Sequence, residues 1–121
     1  MNEPYHIHLD TKFGFLKVID VPSLVAACGE KWHNQTLCQV NDCVVRLGIL
    51  EGEFHWHKHD AEDEFFFVLQ GTLLVDLESE TISLTTHQGL TVPKGVVHRT
   101  RAPRYCACIM VEQAGVIPTG D

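Results

Sequence analysis

From Thr36 onward the chain breaks into short runs rich in β-branched and aromatic residues, and this punctuation limits its fold more than any other feature. The runs cover residues 36–40, 44–50, 53–57, 64–69, 72–77, 81–84, 90–92, 96–100 and 105–111. Between them stand turn signals: Asn41-Asp42, Glu51-Gly52, Gln70-Gly71, Glu78-Ser79-Glu80, Gln88-Gly89, Lys94-Gly95 and Ala102-Pro103. Many short strands at this spacing describe an all-β sandwich or barrel. Before them only one segment reads as a helix, Pro22 to Gly29, with Asp20 as a possible N-cap and Gly29 as its stop. A chain of 121 residues holds one domain. The expected division is an arm with a short helix over residues 1–35, a barrel over 36–112 and a tail over 113–121.

Side-chain parity sharpens the picture. In Glu64-Phe65-Phe66-Phe67-Val68-Leu69 both faces are apolar, so the strand is expected to be covered on both sides. Phe66 and Val68 share the parity of Glu64 and would wall an interior pocket. Phe65, Phe67 and Leu69 then need a second layer, either a second subunit or the N-terminal arm; a homodimer is the expectation. Trp56 has the opposite parity to His55 and His57 and could join that outer apolar patch.

Charge and cysteine content narrow the partners. Sixteen carboxylates against nine Lys and Arg give a net charge of -7, which repels phosphate-rich nucleic acid and anionic membrane surfaces alike. The start of the chain carries no basic segment followed by an apolar one, and no run approaches bilayer length. A cytoplasmic protein is expected. The five cysteines (Cys28, Cys38, Cys43, Cys106, Cys108) are odd in number and show no zinc-knuckle spacing. They read as reduced thiols packed as small hydrophobes.

Histidine is over-represented, with eight residues, three of them in His55-Trp56-His57-Lys58-His59. Residues two apart on a strand share a face about 6.6 Å apart. His57 and His59 can therefore converge on one ion, and a hairpin would return Glu64 to the same face. His98, in Pro93-Lys94-Gly95-Val96-Val97-His98, opens a later strand and is a fourth candidate. Three imidazoles and one carboxylate suit a divalent transition metal (Fe, Mn, Ni or Zn) and leave coordination positions open. The bland reading of His57 and His59 is a solvated polar turn, since Lys58, Asp60 and Glu62 surround them.

These residues resemble the cupin superfamily. Gly52, His57, His59, Glu64 and Gly71 are similar to its first motif, and Gly89, Pro93, Gly95 and His98 to its second. The gaps from Gly52 to His57 and from Gly89 to Pro93 are shorter than is usual, and Ala102 stands where the family has an asparagine. The resemblance covers roughly residues 44–111. It implies a jelly-roll barrel, or double-stranded β-helix, holding a metal ion inside through residues matching His57, His59, Glu64 and His98.

Two further residues are candidates for catalysis. His55 shares the parity of the ligand pair and could be a pocket acid or base, or a hydrogen-bonded neighbour of the ligands. Arg46 could offer a fixed fork to a substrate carboxylate or phosphate if it faces inward, but alternation with Val45, Leu47 and Ile49 places it on the surface. Arg99, Arg101 and Arg104 read as a solvated outer face, and His6, His8, His33 and His87 as surface residues without partners. The function expected is a metal-dependent enzyme acting on a small oxygen-rich molecule, by a dioxygenase, isomerase, epimerase or decarboxylase reaction. The alternative is a non-catalytic module that binds a small ligand or a metal.

Overall fold

The structure is a computed structural model and describes residues 5–120. One short helix and eight strands are arranged as a jelly roll. The strands are β1 (His6–His8), β2 (Trp32–Val40), β3 (Cys43–Glu53), β4 (Glu64–Gln70), β5 (Leu73–Leu77), β6 (Thr81–Leu84), β7 (Gly89–Val92) and β8 (His98–Gln113), and α1 spans Val21–Ala27. The main sheet runs β1-β2-β3-β8-β4-β7, and β8 also pairs with β5, which pairs with β6. The sheet does not close on itself. The all-β class expected from the punctuation is the class found.

The long strand β8 organises the fold. Its first residues pair with β5 (Leu77↔His98 to Leu74↔Arg101), and its remainder lies between β3 and β4. Two expected turns fall inside strands instead. Across from each other, β3 and β8 jump in register from Leu50↔Cys106 to Gly52↔Ala102. Pro103 thus sits in a bulge, where its missing N–H breaks no ladder bond, and Gly52 takes the positive φ of +103° that the irregularity demands. Runs 96–100 and 105–111 are consequently one strand. Residues 53–57 are not a strand: regular pairing stops at Glu53, and His57 makes only an isolated bridge to His98. By contrast, Asn41-Asp42 does close the β2–β3 hairpin, with Asn41 at φ 51°.

Two apolar layers result. Inside, Phe66, Val68, Leu73, Val75, Cys106, Cys108 and Met110 form the main core. Outside, Leu37, Leu47, Ile49 and Ala107 are covered by Phe13, Ile19 and the α1 side chains Val21, Leu24 and Val25. Leu69 joins this outer cluster, so the arm supplies its second layer. Phe65 and Phe67 are half-buried, Phe67 stacking on His87 with ring centroids 6.3 Å apart. The helix starts as its sequence implies, with Pro22 in the first turn after Asp20, and ends at Ala27, two residues before Gly29. It is too short to cross a bilayer, and no described helix is long and apolar enough to do so.

The outer face of β8 departs from expectation. Arg99 and Arg101 are partly covered rather than freely solvated, because both reach Asp76 on β5, which is only 4% exposed. Arg99 Nε (2.8 Å) and Arg101 Nε (2.6 Å) donate to Asp76 Oδ2, while Arg101 Nη2 (3.2 Å) and Thr81 Oγ1 (2.6 Å) donate to Oδ1. The Arg99 guanidinium also lies 5.1 Å over the Trp56 ring. Arg104 alone of the three is exposed.

Candidate metal centre

The isolated bridge between His57 and His98 starts the site. Each backbone N–H donates to the other's carbonyl at 2.9 Å, which fixes the two rings with centroids 4.4 Å apart. The turn over residues 93–95 is tied to the segment after His57 by Gly95 N–H to His59 O (2.8 Å) and Lys94 N–H to Asp63 Oδ1 (2.9 Å). Glu64, the first residue of β4, points inward on the same face as Phe66 and Val68. One donor atom from each of His57, His59, Glu64 and His98 lies within 4.8 Å of the others. His59, Glu64 and His98 are buried, and His57 is half-buried at the cavity side.

Hydrogen bonds away from the centre orient the donors. His57 Nδ1 lies 3.0 Å from His55 O, and His98 Nδ1 lies 3.0 Å from Val96 O. A carbonyl oxygen can only accept, so each Nδ1 carries a proton and each ring turns its Nε2 to the interior. His98 Nε2 and His59 Nε2 sit 3.3 and 3.5 Å from Glu64 Oε1. At this range each nitrogen can share a proton with the carboxylate or, with it, hold a metal ion. Burial, aided by the neighbouring His98 and His59, lowers the His57 pKa to about 4, so near neutral pH its lone pair is available. Burial pushes the Glu64 carboxyl up, but hydrogen bonds from His59, His98 and Glu112 outweigh it and hold the group well below the usual carboxylate range. Three nitrogens, one anionic oxygen and a dry surround fit a borderline divalent transition metal.

Arg46 faces the interior, contrary to the surface position expected for it. It is 3% exposed, on the same face of β3 as Val44, Gly48 and Leu50. Its Nε lies 2.8 Å from Glu112 Oε1 and its Nη2 3.5 Å from Val116 O. The fork is thus occupied by the protein's own carboxylate. Glu112, on β8 directly across from Glu64, was not singled out in the sequence, although it continues the inward parity of Cys106, Cys108 and Met110. Burial first, and then the Glu64 charge, raise its carboxyl pKa well above the usual range against the pull of Arg46. The proton kept there leaves Arg46 and Glu64 as the balancing charges.

His55 lies outside the donor cluster and bridges Tyr5 and Thr119, near the two limits of the described residues. Its Nε2 donates to Thr119 O at 2.7 Å, so its Nδ1 accepts, and the Tyr5 hydroxyl lies 3.4 Å away. Its ring stacks on Phe54 at 4.5 Å. Through its carbonyl it also orients His57.

Beside the centre opens a cavity of about 60 Å³, with His57 and Glu64 in its wall. The rest of the lining is mainly apolar, including Tyr5, Trp32, Phe54, Phe66 and Met110. At roughly 10–15 Å³ per water, this holds about four to six waters or a ligand of similar bulk.

Comparison with known proteins agrees with this architecture. The sequence profile described as the cupin domain, Cupin_2, matches residues 44–112. Over 74 residues, 60% of this chain, the sequence is 47% identical to the uncharacterized protein YdbB of Bacillus subtilis (strain 168), of whose length the match spans 66%. The fold is similar to a cupin-2 domain containing protein from Shewanella frigidimarina NCIMB 400, with a TM-score of 0.76, 31% identity, and coverage of 79% of this chain and 94% of that one. It is also similar to protein NMB1881 from Neisseria meningitidis, with a TM-score of 0.72, 26% identity, and coverage of 80% and 99%. Profile, sequence relative and solved structures converge with the strand order described above: the chain belongs to the cupin domain family.

Proposed function

We propose that this protein is a metal-dependent enzyme that acts on a small oxygen-bearing molecule at a divalent transition metal held by His57, His59, Glu64 and His98. The observation that carries the reading is the convergence of four oriented donors at the wall of a small apolar cavity. A bound metal would supply Lewis acidity and open positions for substrate oxygen. The residues of the chain do the rest. His55 O and Val96 O hold the His57 and His98 rings in one tautomer, while Phe66 and Met110 keep bulk water from the donors. The cavity size restricts the substrate to a few heavy atoms, with a chelating end toward the donors and an apolar body against Trp32 and Phe54. Dioxygenase, isomerase, epimerase and decarboxylase chemistry all meet these conditions.

A second reading, a non-catalytic binding module, is favoured by one observation. Both candidate pocket groups are engaged within the fold, Arg46 with Glu112 and His55 with Thr119. Metal analysis of tag-free protein, reconstituted with Fe(II), Mn(II), Ni(II) or Zn(II), tests what both readings share. The His57→Ala/His98→Ala variant is expected to hold one equivalent fewer than the wild type, and an unchanged content would sink both. Turnover of small keto acids, thiols or catechols under air and under nitrogen then separates them, because a module binds without converting.

The proposal extends to a homodimer formed through Phe65 and Phe67 on the outer side of β4, and to a cytoplasmic setting that keeps five free thiols reduced. Light scattering at twice 13.6 kDa is the expected result, and a monomer mass removes the dimer.

A further inference from the structure

Three histidines that the sequence left without partners are gathered by the N-terminal strand. Strand β1 lies parallel to β2 with His6↔His33, Ile7↔Asn34 and His8↔Gln35 in register. Alternation puts His6 and His8 on one side and Tyr5 and Ile7 on the other. Glu30, just before β2, meets the histidine side. His6 Nδ1 is 3.0 Å from Glu30 Oε2, His33 Nδ1 is 3.7 Å from Glu30 Oε1, and the His8 and His33 rings lie 5.2 Å apart.

We propose that His8, Glu30 and His33 form a second divalent-metal site, separate from the buried centre, which fastens β1 to the edge of the sheet. One donor atom from each of the three lies within 4.8 Å of the others. Ligands of a tetrahedral zinc ion at about 2.0–2.2 Å stand roughly 3.3–3.6 Å apart, so a small rotation of the exposed His8 completes the contact. Two imidazoles and one carboxylate are a zinc-type donor set. The solvent side remains open for water or for His6, which already rests on the other carboxylate oxygen. This arrangement stands whether or not the buried centre binds metal.

The site has a role because of what lies on the other side of the strand. Tyr5 and Ile7 line the cavity beside His57 and Glu64, and His6 and His33 also reach its wall. The Tyr5 ring packs 4.3 Å from Phe54 and 5.1 Å from Trp32, measured between centroids. A three-residue edge strand has few ladder bonds to hold it. An ion bridging His8 on β1 to Glu30 and His33 would close that strand against the sheet and so fix one wall of the pocket. Access to the cavity would then depend on a metal at its rim.

The test uses zinc alone on tag-free protein, by equilibrium dialysis followed by metal analysis. His8→Ala removes an exposed side chain and Glu30→Gln keeps the shape of the carboxylate, so both variants retain the packing. Each is expected to hold one zinc per chain fewer than the wild type, whatever the buried centre holds. The His57→Ala/His98→Ala variant is expected to keep this equivalent, which separates failure at one site from failure at the other. Hydrogen exchange reads the fastening itself. With free zinc tenfold above its dissociation constant, opening of residues 6–8 and 33–35 should slow about tenfold in the wild type and remain unchanged in His8→Ala. Zinc content in His8→Ala and Glu30→Gln equal to the wild type overturns the site. Zinc-independent exchange of β1 in the wild type overturns the fastening.

Discussion

Replacing Asp76 by Asn should loosen the joint between β5 and the first residues of β8. Asp76 is opposite Arg99 in the β5–β8 register and opposite Thr81 in the β5–β6 register, so one carboxylate serves three strands. Its two oxygens accept three charge-assisted bonds, at 2.6, 2.8 and 3.2 Å, and one from a hydroxyl at 2.6 Å. At about 1.5–3 kcal/mol each, the three charged bonds would sum to roughly 5–9 kcal/mol. Both guanidiniums keep water contact, at 25% and 30% side-chain exposure, and regain hydration when the partner leaves. The expected net loss is therefore about 2–3 kcal/mol, or roughly 6–15 °C in Tm for a domain of this size.

The pH dependence of that loss is specific. The Arg101 hydrogen bond above all, with those of Thr81 and Arg99, holds the Asp76 carboxyl well below its usual range. A depressed folded-state pKa means that the stabilisation is complete above the unfolded value, near 3.9, and drains away as pH falls toward the folded one. Urea unfolding of EDTA-treated wild type and Asp76→Asn should accordingly give a constant gap from pH 7 to about 5 that narrows below about 4. A gap under about 0.5 kcal/mol at pH 7, or one that does not narrow in acid, would refute the reasoning.

Other outcomes follow from buried charge and backbone geometry. Arg46→Met should cost about 3–5 kcal/mol, because it leaves the Glu64 and Glu112 pair without its cation; Glu112→Gln, which mimics a protonated carboxyl, should cost under about 1 kcal/mol. Equal losses in urea unfolding would mean that Glu112 is ionised. Gly71→Ala should be among the most damaging small changes. Gly71 has φ +85°, and an added Cβ would collide with the Tyr105 carbonyl oxygen. Gly95→Ala, at φ +80° with nothing within 4 Å, carries only the left-handed penalty of about 1–2 kcal/mol. Comparable Tm losses in the two variants would show that the Tyr105 contact relaxes.

The strand pattern and the donors His57, His59 and Glu64 were legible because both are local. Alternation in 64–69 places Glu64, Phe66 and Val68 on one face with no knowledge of the partner strands, and the structure has them so. His98 stands 34 residues beyond Glu64, and it is the resemblance to the cupin motifs, not spacing, that joins it to His57 and His59, whose donor atoms it meets in the structure. What escaped depends on neighbours. Arg46 was given to the surface because alternation along β3 identifies two faces without saying which is wet, and here both are covered, one by the core and one by α1 and the arm. Asp76 and Glu112 acquire their partners only through strand pairing distant in sequence. The Ala102-Pro103 turn signal was real, but a bulge used it instead of a reversal.

His55 joins Tyr5 to Thr119 and so brings the first and last described parts of the chain to one side of the pocket. A short linker between those ends would retrace a path the fold already makes, and new ends could be opened at the exposed Glu78-Ser79-Glu80 turn. Such a circular permutant would leave the pocket rim continuous. A segment joined directly to Tyr5 or Thr119 would instead start beside His55, where it would crowd whatever enters.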